Sequence, residues 1–127
     1  MMINLISEKT TQQTNYKDQF AIKTNKGVYF LKVEDIVCFE ADSGVIFGWD
    51  KMNKKHMMTQ TVFKDLEIHL DPQEFFKINR SDIVHRKFIT KLKRYNKNTV
   101  SVYLNVEGKR LRTSQNRTGD FNSWLGV

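Results

Sequence analysis

Residues 20 to 60 contain several short runs that each predict a β-strand, and the close spacing of these runs limits the folds that the chain can adopt. Apolar and polar residues alternate there in five or six short runs, with turn signals at Asn25-Lys26-Gly27 and Asp42-Ser43-Gly44. Parallel strands need crossover connections of a dozen or more residues, and this stretch has no room for them. The pattern therefore predicts antiparallel meanders and excludes a doubly wound parallel sheet.

Individual runs in this stretch predict individual strands. FAIKT and VYFLK flank the first turn signal and predict a hairpin. VCFEA predicts a strand with Val37, Phe39 and Ala41 on one face, and HMMTQ predicts the last strand of the group.

A helix is predicted after these strands, in TVFKDLEIHL. Its apolar residues recur at three- and four-residue spacing: Val62, Phe63, Leu66 and Leu70. Thr61 is a candidate N-cap, and Asp71-Pro72 predicts the end of the helix.

The rest of the chain returns to strands. FFKIN predicts a strand, the segment after Ser81 a turn or short helix, and KLKRY, NTVSVYLN and KRLRT three closing strands. A second helix is predicted at the C-terminus, with Ser114 as its cap and Gly126 just after its end. Its apolar stripe consists of Phe121, Trp124 and Leu125. The pattern predicts a mainly β fold with one or two short helices.

Composition indicates one globular domain. The chain has 127 residues, of which 39% are hydrophobic and 28% charged. It has a single cysteine, Cys38, no apolar run of membrane-spanning length and no signal-peptide pattern, so we expect a cytoplasmic protein. Residues 1–18 are polar and read as a tail or linker, which leaves 19–127 as the folded domain.

Positive charge is concentrated in one third of the chain. The net charge is +7, but residues 77–117 hold twelve Lys or Arg and two acids, which gives 12 − 2 = +10. The remaining residues sum to 9 − 12 = −3. Such a block is typical of a protein that binds a phosphate backbone.

The sequence contains no recognisable catalytic or metal site. His56, His69 and His85 are not spaced as metal ligands, and Cys38 lies in a predicted strand. Phosphate-binding loops and hydrolase motifs are absent from the sequence. We therefore expect no enzyme activity, no cofactor and no metal.

Two polar clusters are candidates for nucleic-acid contact. Asn79, Arg80 and Ser81 stand at a strand-to-turn junction, where Arg can bind a guanine edge or a phosphate and Asn an adenine edge. The segment 114–117 opens the predicted last helix, where free N–H groups favour phosphate. Both clusters also have a purely structural explanation, as turn and capping residues, and Lys91, Lys93 and Arg94 could be one solvated face of a strand.

The order of the motifs resembles the LytTR DNA-binding domain, as found in bacterial response regulators. The similarity extends over residues 19 to 126 and rests on the pattern L-x-P-x-x-F-F-x-I-x-R-S-x-I-V, which begins at Leu70 and ends at Val84. This resemblance implies an elongated stack of small antiparallel sheets that inserts loops, rather than a recognition helix, into DNA major grooves. The loops correspond to residues 42–45, 79–81 and 115–117.

The resemblance and the charge pattern together give the predicted DNA contacts. They are Ser43, Lys77, Asn79, Arg80, Ser81, Arg86, Lys87, Gln115, Asn116 and Arg117. The first loop here is short and lacks long polar side chains. Gln115-Asn116-Arg117 replaces the arginine that many members place directly after the serine equivalent to Ser114.

The predicted function is sequence-specific binding of double-stranded DNA in transcriptional regulation. By resemblance, the domain is either the output module of a two-component response regulator, with a receiver domain and a sensor histidine kinase as upstream partners, or a free-standing DNA-binding protein. The resemblance also implies direct-repeat sites as targets. We expect the isolated domain to be a monomer without DNA. The alternatives are a small β-rich module that binds RNA or single strands, and a protein-interaction domain whose charge only keeps it soluble.

Overall fold

Three antiparallel sheets form the domain in a computed structural model, which describes residues 16–127. A hairpin is formed by β1 (Gln19–Thr24) and β2 (Gly27–Lys32). The central sheet has the order β5-β4-β3-β7-β6, with β3 (Ile36–Asp42), β4 (Val45–Asp50), β5 (Lys55–Met57), β6 (Phe75–Asn79) and β7 (Asp82–His85). The third sheet has the order β10-β9-β8, with β8 (Ile89–Arg94), β9 (Val100–Leu104) and β10 (Arg110–Arg112).

Two short α-helices complete the fold, α1 (Phe63–Glu67) and α2 (Thr118–Leu125). Single 3-10 turns lie at Val33–Asp35, Arg86–Phe88 and Gln115–Arg117. The predicted stack of small antiparallel sheets with short helices is confirmed, including five strands between residues 19 and 57. The predicted linker, 1–18, lies mostly outside the described residues, and its boundary stays a prediction.

The central sheet is buried on both faces. One face packs with the β1–β2 hairpin and α1, and its core contains Phe20, Ile22, Leu31, Ile36, Phe39, Ile46, Met58, Phe63, Leu66, Leu70, Phe75 and Ile83. The other face packs with the third sheet and α2, and its core contains Val37, Cys38, Ile78, Val84, Phe88, Val102, Leu104 and Phe121. The domain is therefore a three-layer stack with the five-stranded sheet in the middle.

A bulge in β3 corrects the predicted strand face. The pairing of β3 with β4 shifts between Ile36 and Cys38, so two consecutive residues, Val37 and Cys38, enter the same core. Phe39 enters the opposite core. The prediction that Val37 and Phe39 share a face was wrong because simple alternation does not anticipate an extra residue in the strand.

The first helix is shorter than its hydrophobic pattern predicts. It spans Phe63–Glu67, with Val62 rather than Thr61 at the N-cap position and without a side-chain cap. Val62 is 51% exposed, whereas Phe63, Leu66 and Leu70 are buried. The periodic pattern thus marks the buried residues, but only one and a half turns are helical.

The segment after Ser81 is a strand, and the predicted turn or short helix there was wrong up to residue 85. β7 pairs with β3 and with β6, and a 3-10 turn begins only at Arg86. β7 is an inner strand of the central sheet, with Ile83 in one core and Val84 in the other, so this short strand shows no apolar–polar alternation in the sequence.

The C-terminal helix has two parts. A 3-10 turn, Gln115–Arg117, precedes α2, which ends at Gly126 with the predicted left-handed backbone, at φ 88°. Ser114 occupies the N-cap position, but its hydroxyl donates to Asn116 Oδ1 at 2.8 Å instead of capping the backbone.

His85 is buried against the first core. Its Nδ1–H donates to the Ile36 carbonyl oxygen at 2.7 Å, and its ring stacks on Phe75 with the centroids 4.2 Å apart. Burial lowers the pKa of His85, more than the Ile36 hydrogen bond and the Glu74 carboxylate raise it. The folded protein therefore holds this imidazole neutral below the pH at which an exposed histidine gains a proton.

This lowered pKa predicts a loss of stability in mild acid. Below the ordinary histidine pKa of about 6.5, His85 is protonated in the unfolded chain but stays neutral in the folded protein. The free energy of unfolding therefore falls as the pH is lowered. We expect the urea midpoint of the wild type to decrease between about pH 7.5 and about pH 5.5, and to decrease less in His85→Gln. An equal pH dependence in the wild type and in His85→Gln would contradict the assignment.

Candidate nucleic-acid interface

The three segments predicted to contact DNA lie side by side at one end of the central sheet. Glu40 pairs with Asp82, and the Ala41 N–H donates to the Ser81 carbonyl oxygen at 2.8 Å, so the β3–β4 turn is next to the β6–β7 turn. The Ser114 N–H donates to the Ile78 carbonyl oxygen at 2.9 Å, which places the start of the last helical segment against the end of β6. Residues 42–44, 79–81 and 114–117 thus form one row, which we call the turn row.

Asn79 holds the middle of the turn row together. Its Oδ1 accepts the Ser81 N–H at 2.7 Å, and its Nδ2 donates to Asp82 Oδ2 at 3.0 Å and to the Arg112 carbonyl oxygen at 2.7 Å. All three bonds are internal, so they shape the turn and fix β10 to it. The geometry therefore gives Asn79 a positioning role and leaves its amide committed within the protein.

Arg80 and Ser81 project from the turn that Asn79 shapes. Both are exposed, and no ion pair within residues 16–127 involves Arg80. Asp82, the carboxylate that a structural Arg80 would have used, accepts a bond from Asn79 instead. Burial raises the pKa of Asp82, more than this Asn79 bond lowers it. The Arg80 guanidinium is thus available to a ligand.

Arg117 is tied into the fold. Its Nε–H donates to the Lys77 carbonyl oxygen at 3.0 Å, its guanidinium lies 4.4 Å from the Phe76 ring centroid, and it pairs with Asp120 at 3.4 Å. Asn116 and Gln115, one and two residues earlier, are exposed. The geometry therefore favours Gln115 and Asn116, rather than Arg117, as the residues of this segment that reach outward.

A groove connects two segments of the turn row, residues 79–81 and 114–117. It runs between the β6–β7 turn and the start of the last helical segment, and its lining residues are Glu67, Lys77, Asn79, Arg80, Ser114, Asn116 and Arg117. Lys77 also lies near α1, with its Nζ 5.7 Å from the Phe63 ring centroid. Three cations against one carboxylate make this groove suited to an anionic ligand.

The first turn contributes less chemistry. Ser43 is exposed with a left-handed backbone, at φ 53°, and its hydroxyl donates to Asp42 Oδ1 at 2.9 Å. The neighbouring carboxylate repels phosphate. Ser43 thus lies in the turn row but offers only a short hydroxyl, and its DNA contact stays a prediction.

Arg86 and Lys87 lie at the other end of β7 from the turn row. Arg86 is five positions along the strand from Ser81, which corresponds to about 17 Å. Arg86 donates to the carbonyl oxygens of Gln73 at 2.9 Å and Trp124 at 2.6 Å, and its guanidinium stacks on the Trp124 ring at 4.3 Å. The contact of Arg86 and Lys87 with DNA stays a prediction. The geometry gives Arg86 a structural role, because its guanidinium holds α2 through Trp124.

Sequence analysis did not place Arg110 and Arg112 at the site. A depression beside Asn79 is lined by both of them and by Lys93. The strand register could not be read from the sequence, so the approach of β10 to the β6–β7 turn had no signal beyond the basic composition of KRLRT.

Two absences apply to the described part of the chain. No group of three or more His, Cys, Asp or Glu residues in 16–127 is arranged to hold a metal ion. No helix in the same range has the length and hydropathy needed to cross a membrane.

The hydrogen bonds of Asn79 predict a stability defect when its amide is removed. Asn79→Ala leaves the Ser81 N–H, the Asp82 carboxylate and the Arg112 carbonyl without this partner, and we expect a loss of about 1–3 kcal/mol in the free energy of unfolding. Urea unfolding measures this loss. Gln115→Ala, at an exposed position of the same row, is the control and should leave the stability unchanged; wild-type stability in Asn79→Ala would refute the positioning role.

Comparisons with known proteins agree with this architecture. A similar solved structure is described as the LytTr DNA-binding domain of a putative methyl-accepting/DNA response regulator from Bacillus cereus, with a TM-score of 0.78 and 20% sequence identity, covering 87% of this chain and 99% of that one. No curated protein sequence matches the chain. The family model described as the LytTr DNA-binding domain matches residues 26–126. This match spans well over half of the sequence and includes residues 79–81 and 114–117 of the turn row. The chain therefore belongs to the LytTR DNA-binding domain family.

Proposed function

We propose that this domain binds double-stranded DNA at specific sequences and acts in transcriptional regulation. The observation that carries the proposal is the turn row, in which Arg80, without an ion-pair partner among residues 16–127, stands between two further exposed segments. Turns that project from a sheet buried on both faces can enter a groove without reorganising, so little ordering cost opposes binding.

Arg80 is the residue best suited to read a base. It projects from a turn in which Asn79 is bonded internally, and it can donate two parallel hydrogen bonds to a guanine edge. Gln115 and Asn116 extend the row and can pair with adenine edges. Lys77 and Arg117 border the same groove and add positive charge for phosphate oxygens.

The regulatory context follows from what the structural relative is described as. That protein is described as a putative methyl-accepting/DNA response regulator, and the matched structure is its LytTr DNA-binding domain. We infer the same arrangement here: an output domain in the cytoplasm, controlled through a receiver domain by a sensor histidine kinase, without catalytic activity of its own. Because one domain of this size covers only a half-site, the DNA target should be a pair of sites about one helical turn apart.

A competition among duplex DNA, single-stranded DNA and RNA separates this proposal from the single-strand alternative. Stacking platforms need exposed aromatic rings, whereas Phe121 is buried and Trp124 packs against it at 5.9 Å. Tyr95 and Tyr103 lie beside cations on the outer side of the third sheet, and they are the rings on which unpaired bases could stack if the single-strand alternative were correct. Preference for the duplex supports the proposal, and preference for either single strand contradicts it.

Replacing Arg80 should reduce sequence discrimination without destabilising the domain. A bidentate contact to guanine is worth about 1–3 kcal/mol, so Arg80→Ala should weaken binding to the preferred duplex by about ten- to a hundredfold. The preferred duplex is obtained by selection from a random pool with the wild-type domain, and affinities are measured by fluorescence anisotropy. The free energy of unfolding should not change, because Arg80 is exposed and unpaired.

Two further variants separate base reading from charge. Arg80→Lys keeps the charge but loses the planar fork, so it should retain non-specific binding and lose most of the discrimination. Lys26→Ala removes one exposed cation from the β1–β2 turn and should leave discrimination intact. An Arg80→Ala domain that still prefers the selected duplex over random DNA would transfer the reading role to Gln115 or Asn116.

Binding should depend strongly on salt. If about six of the twelve cations between residues 77 and 117 contact phosphates, the plot of log association constant against log salt should have a slope of about −5. Anisotropy titrations over a range of salt concentrations measure it. A slope near zero would contradict a phosphate-dominated interface.

A further inference from the structure

A group of cations covers the outer face of the third sheet. In β8 and β10, Lys91 and Arg110 both pair with Tyr103, while Lys93 and Arg112 both pair with Ser101. Paired residues lie on the same face of an antiparallel sheet, so the side chains form two cross-strand rows with a cation at each end. We call this surface the basic sheet face: Lys91, Lys93, Tyr103, Arg110 and Arg112.

The opposite face of the same sheet is apolar. Leu92, Val102 and Leu111 belong to or pack against the second core. The alternation therefore divides the sheet cleanly, with one face serving stability and the other presented to solvent. The basic sheet face is not needed for packing, which leaves its charges to be explained by a partner.

Tyr103 lies at the centre of the basic sheet face. Its ring centroid is 4.6 Å from Lys91 Nζ, 5.9 Å from Lys93 Nζ and 5.8 Å from the Arg110 guanidinium carbon. Arg110 also donates to the tyrosine hydroxyl at 3.5 Å, and this bond, with the two lysines, lowers the pKa of Tyr103. A lowered tyrosine pKa is what a positive local potential produces.

The cations of the basic sheet face have no carboxylate partners within residues 16–127. None of Lys91, Lys93, Arg110 and Arg112 takes part in an ion pair there. Asp82 borders the same depression, but its carboxylate accepts the Asn79 amide and is largely buried. Like charges repel each other along β8 and β10 and across β9, so this face carries an electrostatic cost that a bound anion would reduce.

The basic sheet face is continuous with the turn row. The Arg112 carbonyl oxygen accepts the Asn79 amide at 2.7 Å, and the depression between them is lined by Asn79, Lys93, Arg110 and Arg112. A duplex engaged by Arg80 would therefore have the basic sheet face on its flank. Because β8 and β10 lie about 10 Å apart across β9, the face is wide enough to meet more than one phosphate.

We propose that the basic sheet face binds the phosphodiester backbone of the same duplex, beside the segment that the turn row reads. This inference rests on the proposed function, since it is that function which supplies the duplex. The contact is independent of sequence: lysine and arginine bind phosphate oxygens as charges, and no base edge is involved. It extends the DNA footprint and adds affinity for every sequence equally.

The test removes two cations from opposite strands of the face. Lys91→Ala/Arg110→Ala is compared with Lys23→Ala/Lys32→Ala, which removes two exposed strand cations from the β1–β2 hairpin. Affinities for the selected duplex and for random duplex are measured by anisotropy at several salt concentrations. Lys91→Gln/Arg110→Gln provides a second form of the variant, and urea unfolding verifies that each variant folds.

The expected result is a smaller salt slope and an unchanged preference. Loss of two phosphate contacts should reduce the slope by about 1.8, and affinities for selected and random duplex should fall by the same factor. The hairpin control should keep the wild-type slope. This differs from Arg80→Ala, which changes the ratio between the two duplexes.

Several results would overturn the inference. A wild-type slope in both sheet variants would overturn it while the turn row and the proposed function stand. Poly-glutamate serves as a second anionic probe in the same anisotropy assay. Sheet variants that bind poly-glutamate more weakly than the wild type does, but bind duplex equally well, would reassign the face to an acidic protein partner. Failure of the wild-type domain to bind any duplex would remove the proposed function, and this inference with it.

Discussion

Burial of the central sheet on both faces is the constraint on which the rest of the structure depends. Each layer outside it, the β1–β2 hairpin with α1 on one side and the third sheet with α2 on the other, is too small to bury its own apolar face. Both layers are stable because they share the five-stranded sheet. The bulge in β3 allows this sharing, since it supplies Val37 and Cys38 together to one core and returns Phe39 to the other.

The same constraint sets the geometry of the interface. A sheet packed on both faces has only its ends and edges free for function, and the antiparallel order puts the β3–β4 and β6–β7 turns at one end. The last helical segment is fixed to this end by the Ser114 backbone and by Arg117, which donates to the Lys77 carbonyl oxygen. Asn79 then joins the middle turn to β10. Side chains that serve the fold thereby present Arg80, Gln115 and Asn116 to solvent.

The sequence predicted the fold class, because short alternating runs and turn residues are local signals. Residues 79–81 and 114–117 were marked as candidates by their polar side chains, whereas residues 42–45 were implied only by the resemblance to the LytTR family. Sequence reasoning failed where the outcome depends on packing. The bulge at Val37 and the inner position of β7 are consequences of two cores, and neither leaves a periodic signature. The sequence also could not show which arginines are bonded within the fold and which are available to a ligand. Arg86 and Arg117 lie in promising motifs but are bonded internally, whereas Arg80 is free and Arg110 and Arg112 reach the site through strand register.

The most direct test of this account is an NMR titration of the isotope-labelled domain with its selected duplex. The account predicts that backbone amide shifts concentrate at residues 79–81 and 114–117, with weaker changes at 42–44, and that the β1–β2 hairpin stays unchanged. Shifts confined to the hairpin or to α1, with the turn row silent, would contradict the claim that the turn row is the DNA-binding surface.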